Sequence, residues 1–174
     1  MRVALWLAAL WTAQAADGPR LAIRADSARR EMVVELGPID LPARTSHHAQ
    51  EQLPVLAAAF PLSGYLHGFR IELVDANGRP VPQRVLHHVN LIDPAHRELF
   101  APIARRLLAA GEETGPQRMP GWLFGVPVKA GDPLVVSSMF HNPTDVTYRG
   151  VRLRIVLPYT PAERGKPLFQ VLPF

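Results

Sequence analysis

The pattern of hydrophobic and polar positions predicts a series of short strands. From residue 65 to residue 74, apolar side chains recur at every second position, which is typical of a half-buried strand. Residues 84–92 predict a second strand, and Asn77-Gly78 in the connection tolerates the backbone of a tight turn. The same signals predict further strands at 122–128, 133–141 and 151–157.

Clear period-two alternation is missing near both ends of the chain and in one central segment, which predict other elements. Short apolar runs at 21–23 and 32–34 predict two opening strands, and the proline-containing stretch 37–60 predicts a long surface connection. Residues 94–110 are the one helical candidate, because Pro102 suits a first helical turn and Gly111 suits a C-terminal cap. We expect the tail from Pro158 to form an extended strap.

Together these elements predict an all-β fold. Short strands separated by turn residues favour an antiparallel β-sandwich or jelly roll with one short helical segment. A parallel α/β fold is disfavoured, since one helical segment cannot provide the crossovers that parallel strands need.

The first fifteen residues predict a signal peptide. Arg2 precedes an apolar run over residues 3–11, and Ala13-Gln14-Ala15 matches a cleavage site. We therefore expect a mature chain near Ala16, a single domain over residues 16–174, and a periplasmic or secreted location. No apolar run reaches the roughly 18 residues of a membrane span.

Composition narrows the chemistry. The chain has no cysteine, which excludes disulfides, cysteine-ligated zinc, iron–sulfur clusters and thiol catalysis. Without Arg2 the mature chain carries 18 basic and 15 acidic residues, a mild excess of positive charge. The basic residues are scattered along the sequence, so we expect no nucleic-acid partner.

Histidines are the strongest candidates for a functional site. His87 and His88 interrupt the apolar run of one predicted strand, and His141 closes another, two residues after Met139. Three imidazoles suit copper or zinc, and a nearby thioether suits Cu(I). Consecutive residues of a regular strand point to opposite faces, so joint binding by His87 and His88 requires a strand end, a β-bulge, or different ring nitrogens that reach around the strand. The alternative for His141 is a rim histidine bonded to the backbone of a turn.

The remaining histidines are weaker candidates. We expect His47 and His48 to lie in an exposed loop, and His96 to face solvent from the helical segment. His67 lies on the apolar face of its strand, which favours a hydrogen-bonded core histidine, with a supporting contact to the metal site as the alternative.

The residues around these histidines resemble a known enzyme domain. The pair in Leu86-His87-His88-Val89, followed by the segments 119–122 and 139–142, is similar to the first catalytic domain of the copper type II, ascorbate-dependent monooxygenases, the peptidylglycine α-hydroxylating and dopamine β-monooxygenase group. The likeness extends over roughly residues 64–157. It implies that His87, His88 and His141 bind one copper ion.

The resemblance has departures that leave several functions open. The family's disulfides are absent, and so are the His-x-His motif and the methionine that hold its second copper in another domain. We expect an exported copper-binding protein in copper handling or electron transfer. The alternatives are a metal-free structural or interaction module, and a monooxygenase subunit whose second site comes from a partner protein.

Overall fold

The structure is a computed structural model that describes residues 18–45 and 51–171. Over these residues the chain forms thirteen strands and two short 3-10 turns, at Gln83–Val85 and Ala162–Arg164. The strands are β1 (Arg20–Asp26), β2 (Glu31–Leu41), β3 (Glu51–Gln52), β4 (Leu56–Ala59), β5 (Gly64–Leu66), β6 (Gly68–Val74), β7 (Leu86–Arg97), β8 (Ala104–Gly111), β9 (Gln117–Arg118), β10 (Phe124–Val128), β11 (Pro133–Phe140), β12 (Tyr148–Pro161) and β13 (Phe169–Gln170).

The long strand β12 organises the larger of two sheets. It pairs with β2 along one edge, and with β6 and β5 in succession along the other. The resulting order is β1-β2-β12-β5-β10-β13, with β9 added to β6. Alternate residues Val151, Leu153, Ile155 and Leu157 are buried, whereas Arg152 and Arg154 are half-exposed. This alternation confirms the predicted inward and outward faces of the strand.

The smaller sheet carries the histidine pair. Its order is β3-β11-β7-β8, and β4 pairs with the other end of the same edge of β11. Neighbouring strands in both sheets are antiparallel, except for the parallel pair of β10 and β13 among the described strands.

One hydrophobic core joins the two sheets. It combines buried side chains of the larger sheet, such as Val34 and Leu153, with buried side chains of the smaller sheet, such as Val89 and Val136. The long strands of both sheets, such as β12 and β11, therefore bury one face against the other sheet, as in a β-sandwich. The predicted all-β sandwich is confirmed.

The predicted helix at 94–110 is wrong. Residues up to Arg97 extend β7, and the segment from Ala104 forms β8, so the two strands make an antiparallel hairpin. The hairpin is stabilised by Asp93, which accepts hydrogen bonds from the backbone N–H of Ala95 and from the Arg105 guanidinium. Pairing with β7 and burial of Leu108 in the core outweigh the local helix signals.

Two other connections are more regular than predicted. The stretch 37–60 contains the end of β2 and the short strands β3 and β4, and the tail from Pro158 completes β12 before a 3-10 turn and β13. The predicted signal peptide lies outside the described residues. Within residues 18–45 and 51–171, no helix is long and apolar enough to cross a membrane.

Candidate metal centre

A β-bulge in β7 gives His87 and His88 a common side of the sheet. In the pairing of β7 with β11, Met139 lies opposite His88, and the next residue, Phe140, lies opposite Leu86. His87 is thus the extra residue of a bulge, a feature that redirects side chains. Burial agrees, because Leu86 and Val89 are both fully buried whereas the two histidines between them are half-exposed. The bulge removes the geometric objection to a joint site.

His141 is brought to the same place by the end of β11. Its backbone N–H donates to the carbonyl oxygen of Val85 at 3.0 Å, which continues the pairing of the two strands past the bulge. The side chain is 8% exposed. The ring centre of His87 lies 5.8 Å from that of His141, edge to face, and 5.1 Å from that of His88. His87 therefore lies next to both other rings.

These ring separations can be compared with those of a metal site. Imidazoles bound to one ion through nitrogens about 2 Å away, at a near-tetrahedral angle, have ring centres about 5 Å apart. The spacing around His87 is close to this value. In the orientations of the structure, however, no three histidine, aspartate or glutamate side chains of the described residues are grouped so as to hold a metal ion. Joint ligation requires the rings to turn about their side-chain torsions.

The turn after His141 is held by Asn142, whose side chain is fully buried. Its Nδ2 donates to the carbonyl oxygens of Leu41 and Val146, at 3.1 and 2.7 Å. Its Oδ1 accepts from the backbone N–H and from the hydroxyl of Thr144, at 3.0 and 2.7 Å. All hydrogen-bonding positions of the amide are thereby used, and the backbone next to His141 is fixed from three directions.

Met139 and Gly111 flank His88 on the two neighbouring strands. Both lie directly opposite His88, Met139 in β11 and Gly111 in β8. Side chains of directly opposite residues lie on one face of a sheet about 5 Å apart at Cβ. Met139 thus has the position of a soft donor beside the pair. Gly111 has no side chain, and a Cβ there would lie 2.8 Å from the carbonyl oxygen of His87 and 3.1 Å from a carboxylate oxygen of Glu113.

A cleft of about 360 Å³ lies beside the histidine pair. Its lining includes His87, His88, Asn90, Glu113 and Thr114. The turn that carries Glu113 is fixed, because the Gln83 side chain donates to the carbonyl oxygens of Gly111 and Thr114, both at 2.8 Å. Sequence analysis does not identify Glu113 as a residue of the candidate site. Its position there follows from the pairing of β8 with β7, whereas the local pattern predicts a helix over residues 94–110.

Electrostatics favour a neutral His88. Burial lowers the pKa of His88 below its ordinary value, and the neighbouring His87 lowers it further. A metal binds the deprotonated imidazole nitrogen, so protons compete less for His88 than for a solvent-exposed histidine. A lowered pKa suits a metal ligand, and it equally suits a metal-free site in which His87 and His88 stay uncharged.

His67 is not part of this centre. It is buried in the larger sheet, where Nδ1 donates to the carbonyl oxygen of Phe124 at 2.9 Å and Nε2 is 2.8 Å from the Thr160 hydroxyl. Both ring nitrogens are used, as predicted for a hydrogen-bonded core histidine. His96 lies at the exposed end of β7, and its Nδ1 is 2.7 Å from an Asp93 carboxylate oxygen. His47 and His48 lie outside the described residues.

The chain was compared with protein-family models, with curated proteins and with solved structures, and none of the three comparisons finds a match.

Proposed function

We propose that this protein binds one copper ion through His87, His88 and His141, with Met139 as a further soft donor, and that it serves copper handling or electron transfer outside the cytoplasm. The observation that carries the proposal is the bulge at His87. It gives two consecutive histidines a common side of β7, and His87 lies 5.8 Å from His141.

The donor set supports copper more than zinc. Three imidazoles suit both ions, but a thioether favours Cu(I), and divalent copper binds nitrogen sites more tightly than zinc does. The chain has no cysteine, so the donors available to a soft ion are imidazole and thioether and not thiolate. Bound copper would supply a one-electron redox couple. The residues of this chain would hold the ion and keep His88 deprotonated.

The resemblance to copper monooxygenases limits the proposed activity. In those enzymes a second copper, held by another domain, acts beside the substrate, and this chain offers residues that match only the first site. We therefore expect no ascorbate-dependent hydroxylation of glycine-extended peptides or phenethylamines by the isolated protein. A partner protein that carries the second site would be needed for such a reaction. Turnover by the single chain would contradict this division of labour.

The test is copper binding by purified protein and by single variants. Wild type should take up one copper per chain, measured by elemental analysis after dialysis and by competition with a chromophoric Cu(I) chelator. His88→Ala and His141→Ala should each weaken binding at least tenfold, because a three-imidazole site loses a ligand.

His96→Ala is the matched control, since His96 is a histidine of the same strand that contacts Asp93. It should bind copper as wild type does. Unchanged uptake by His88→Ala would overturn the site. A folded protein that takes up no copper would instead favour the metal-free structural or interaction module.

A further inference from the structure

A second cavity of the described residues lies away from the histidine pair and is strongly basic. It has a volume of about 900 Å³ and is bounded by the β1–β2 turn, β6, β9 and the end of β12. Six cationic side chains line it against one carboxylate, that of Glu31: Arg29, Arg30, Arg70, Arg118, Arg164 and Lys166. The local excess of five positive charges exceeds the net charge of +4 of the whole chain.

Only part of this charge is neutralised by the protein. Arg70 donates to both carboxylate oxygens of Glu31, at 2.6 and 3.1 Å, and its Nε donates to Glu72 at 2.9 Å. Arg70 is therefore a structural member of the wall. Four of the six cations form no ion pair with a carboxylate of the described residues: Arg30, Arg118, Arg164 and Lys166.

The position of Arg30 is informative. It adopts a positive φ of 53° in the β1–β2 turn, a conformation that disfavours residues with a Cβ by roughly 1 kcal/mol or more. Glycine or asparagine would fit this turn with less strain. The chain instead has two consecutive arginines there, Arg29 and Arg30, both exposed at the rim of the cavity. The turn thus presents two cationic side chains at the rim.

The rest of the lining combines polar side chains, such as Gln117 and Thr160, with apolar ones that include an exposed tryptophan. Trp122 is 72% exposed, which is unusual for so large a ring. Met119 is half-buried and adds apolar surface, whereas Phe69 and Pro167 line the cavity as buried side chains. Cavities of about 300–1,000 Å³ that combine apolar walls with a few charged groups are typical of small-molecule sites. The cavity can thus accept a small molecule that has both an anionic group and an apolar body.

The walls are fixed before any ligand binds. A Cβ on Gly68 would lie 2.1 Å from the carbonyl oxygen of Gln117, so glycine allows β9 to approach β6 closely. The backbone N–H of Met119 donates to the carbonyl oxygen of His67 at 2.6 Å. Gly121 packs directly on the His67 ring. The loop that carries Arg118 and Trp122 is therefore held against the larger sheet at several points.

We propose that this cavity is a binding site for a small organic phosphate monoester with an aromatic body. A phosphate monoester carries nearly two negative charges and three acceptor oxygens, which can engage several cations at once. Guanidinium groups match phosphate oxygens in pairs. Trp122 is placed to stack on the aromatic body. The inference is independent of copper, because none of the cavity residues belongs to the histidine centre.

The experiment titrates the purified protein with phenyl phosphate. Binding is followed by calorimetry and by the fluorescence of Trp122, which is the single tryptophan of residues 16–174. Phenyl phosphate should bind with a change in Trp122 fluorescence, and more tightly than inorganic phosphate, which lacks the aromatic body. Benzyl alcohol, which lacks the charge, should not bind detectably. Raising the salt concentration should weaken binding, since the cations are exposed.

Variants separate this site from general electrostatic attraction. Arg118→Ala and Arg164→Ala should each weaken phenyl phosphate binding about tenfold or more. Arg97→Ala removes an exposed arginine of β7 that does not line the cavity, and it should leave binding unchanged. Equal losses in all three variants would overturn the proposal, as would equal binding of benzyl alcohol. Binding to anionic lipid vesicles without binding of soluble phenyl phosphate would also overturn it.

Discussion

Replacement of Asn142 by alanine tests how the histidine centre is held. The wild-type side chain is fully buried and makes four hydrogen bonds within the protein, to Leu41, Val146 and Thr144. If each bond contributes about 1 kcal/mol net, removal of the four bonds should lower the free energy of unfolding by about 4 kcal/mol. The carbonyl oxygen of Leu41 would lose its buried donor, which adds to this loss, whereas the carbonyl oxygen of Val146 keeps the Thr144 hydroxyl as a donor at 3.2 Å. Such a loss is a large part of the 5–15 kcal/mol typical of a domain.

The assay is urea unfolding of the metal-free protein, with copper affinity measured separately under conditions in which the variant is folded. Asn142→Ala should lower the free energy of unfolding by about 4 kcal/mol and weaken copper binding through the displaced His141. Asn77→Ala is the matched control, because Asn77 lies exposed in a turn and its loss should cost less than about 0.5 kcal/mol. A cost below about 1 kcal/mol for Asn142→Ala would refute the reasoning.

Two further predictions concern pH and backbone geometry. Burial lowers the pKa of both His88 and His67 below 6.5. The unfolded chain therefore binds more protons than the folded protein, and the free energy of unfolding should fall as the pH drops from about 6.5 through the lower folded pKa values. Urea unfolding midpoints measured at several pH values test this; they should shift less in His88→Gln, and a flat profile would contradict the prediction. Gly68→Ala should lower the free energy of unfolding by several kcal/mol, since its Cβ would lie 2.1 Å from the carbonyl oxygen of Gln117 at a φ of 148°. Gly78 has open space around it, so Gly78→Ala should cost about 1 kcal/mol. Thermal unfolding distinguishes the two variants, and equal losses of stability would contradict the close approach of β9 to β6.

The strand pattern was predictable from sequence because period-two alternation is a local property. Residues 151–157 show it clearly and lie within β12, whereas the single strand predicted over 65–74 is divided at His67 into β5 and β6. The hairpin of β7 and β8 was not predictable in this way. Pro102 and Gly111 are local helix signals, but the conformation of the segment is set by pairing with β7 and by the buried carboxylate of Asp93, which are long-range effects.

The candidate centre shows the same division. The sequence indicates His87, His88 and His141 as residue types suited to a metal. The alternation of side chains along a strand also implies that a β-bulge would allow His87 and His88 to form a joint site. Whether the alternation slips at His87 depends on the register with β11, which no local pattern reveals. The basic cavity was missed because its cations come from separate segments, such as Arg30, Arg118 and Arg164, and form a cluster only in the folded sandwich.

The measurement that tests the central claim most directly is a crystal structure of the copper-loaded protein, with anomalous scattering recorded at the copper edge. Our interpretation predicts a single copper with bonds of about 2 Å to one ring nitrogen of each of His87, His88 and His141, reached by rotation of the rings with the bulge of β7 unchanged. Copper bound elsewhere on the chain, or held by only one of the three histidines, would contradict it.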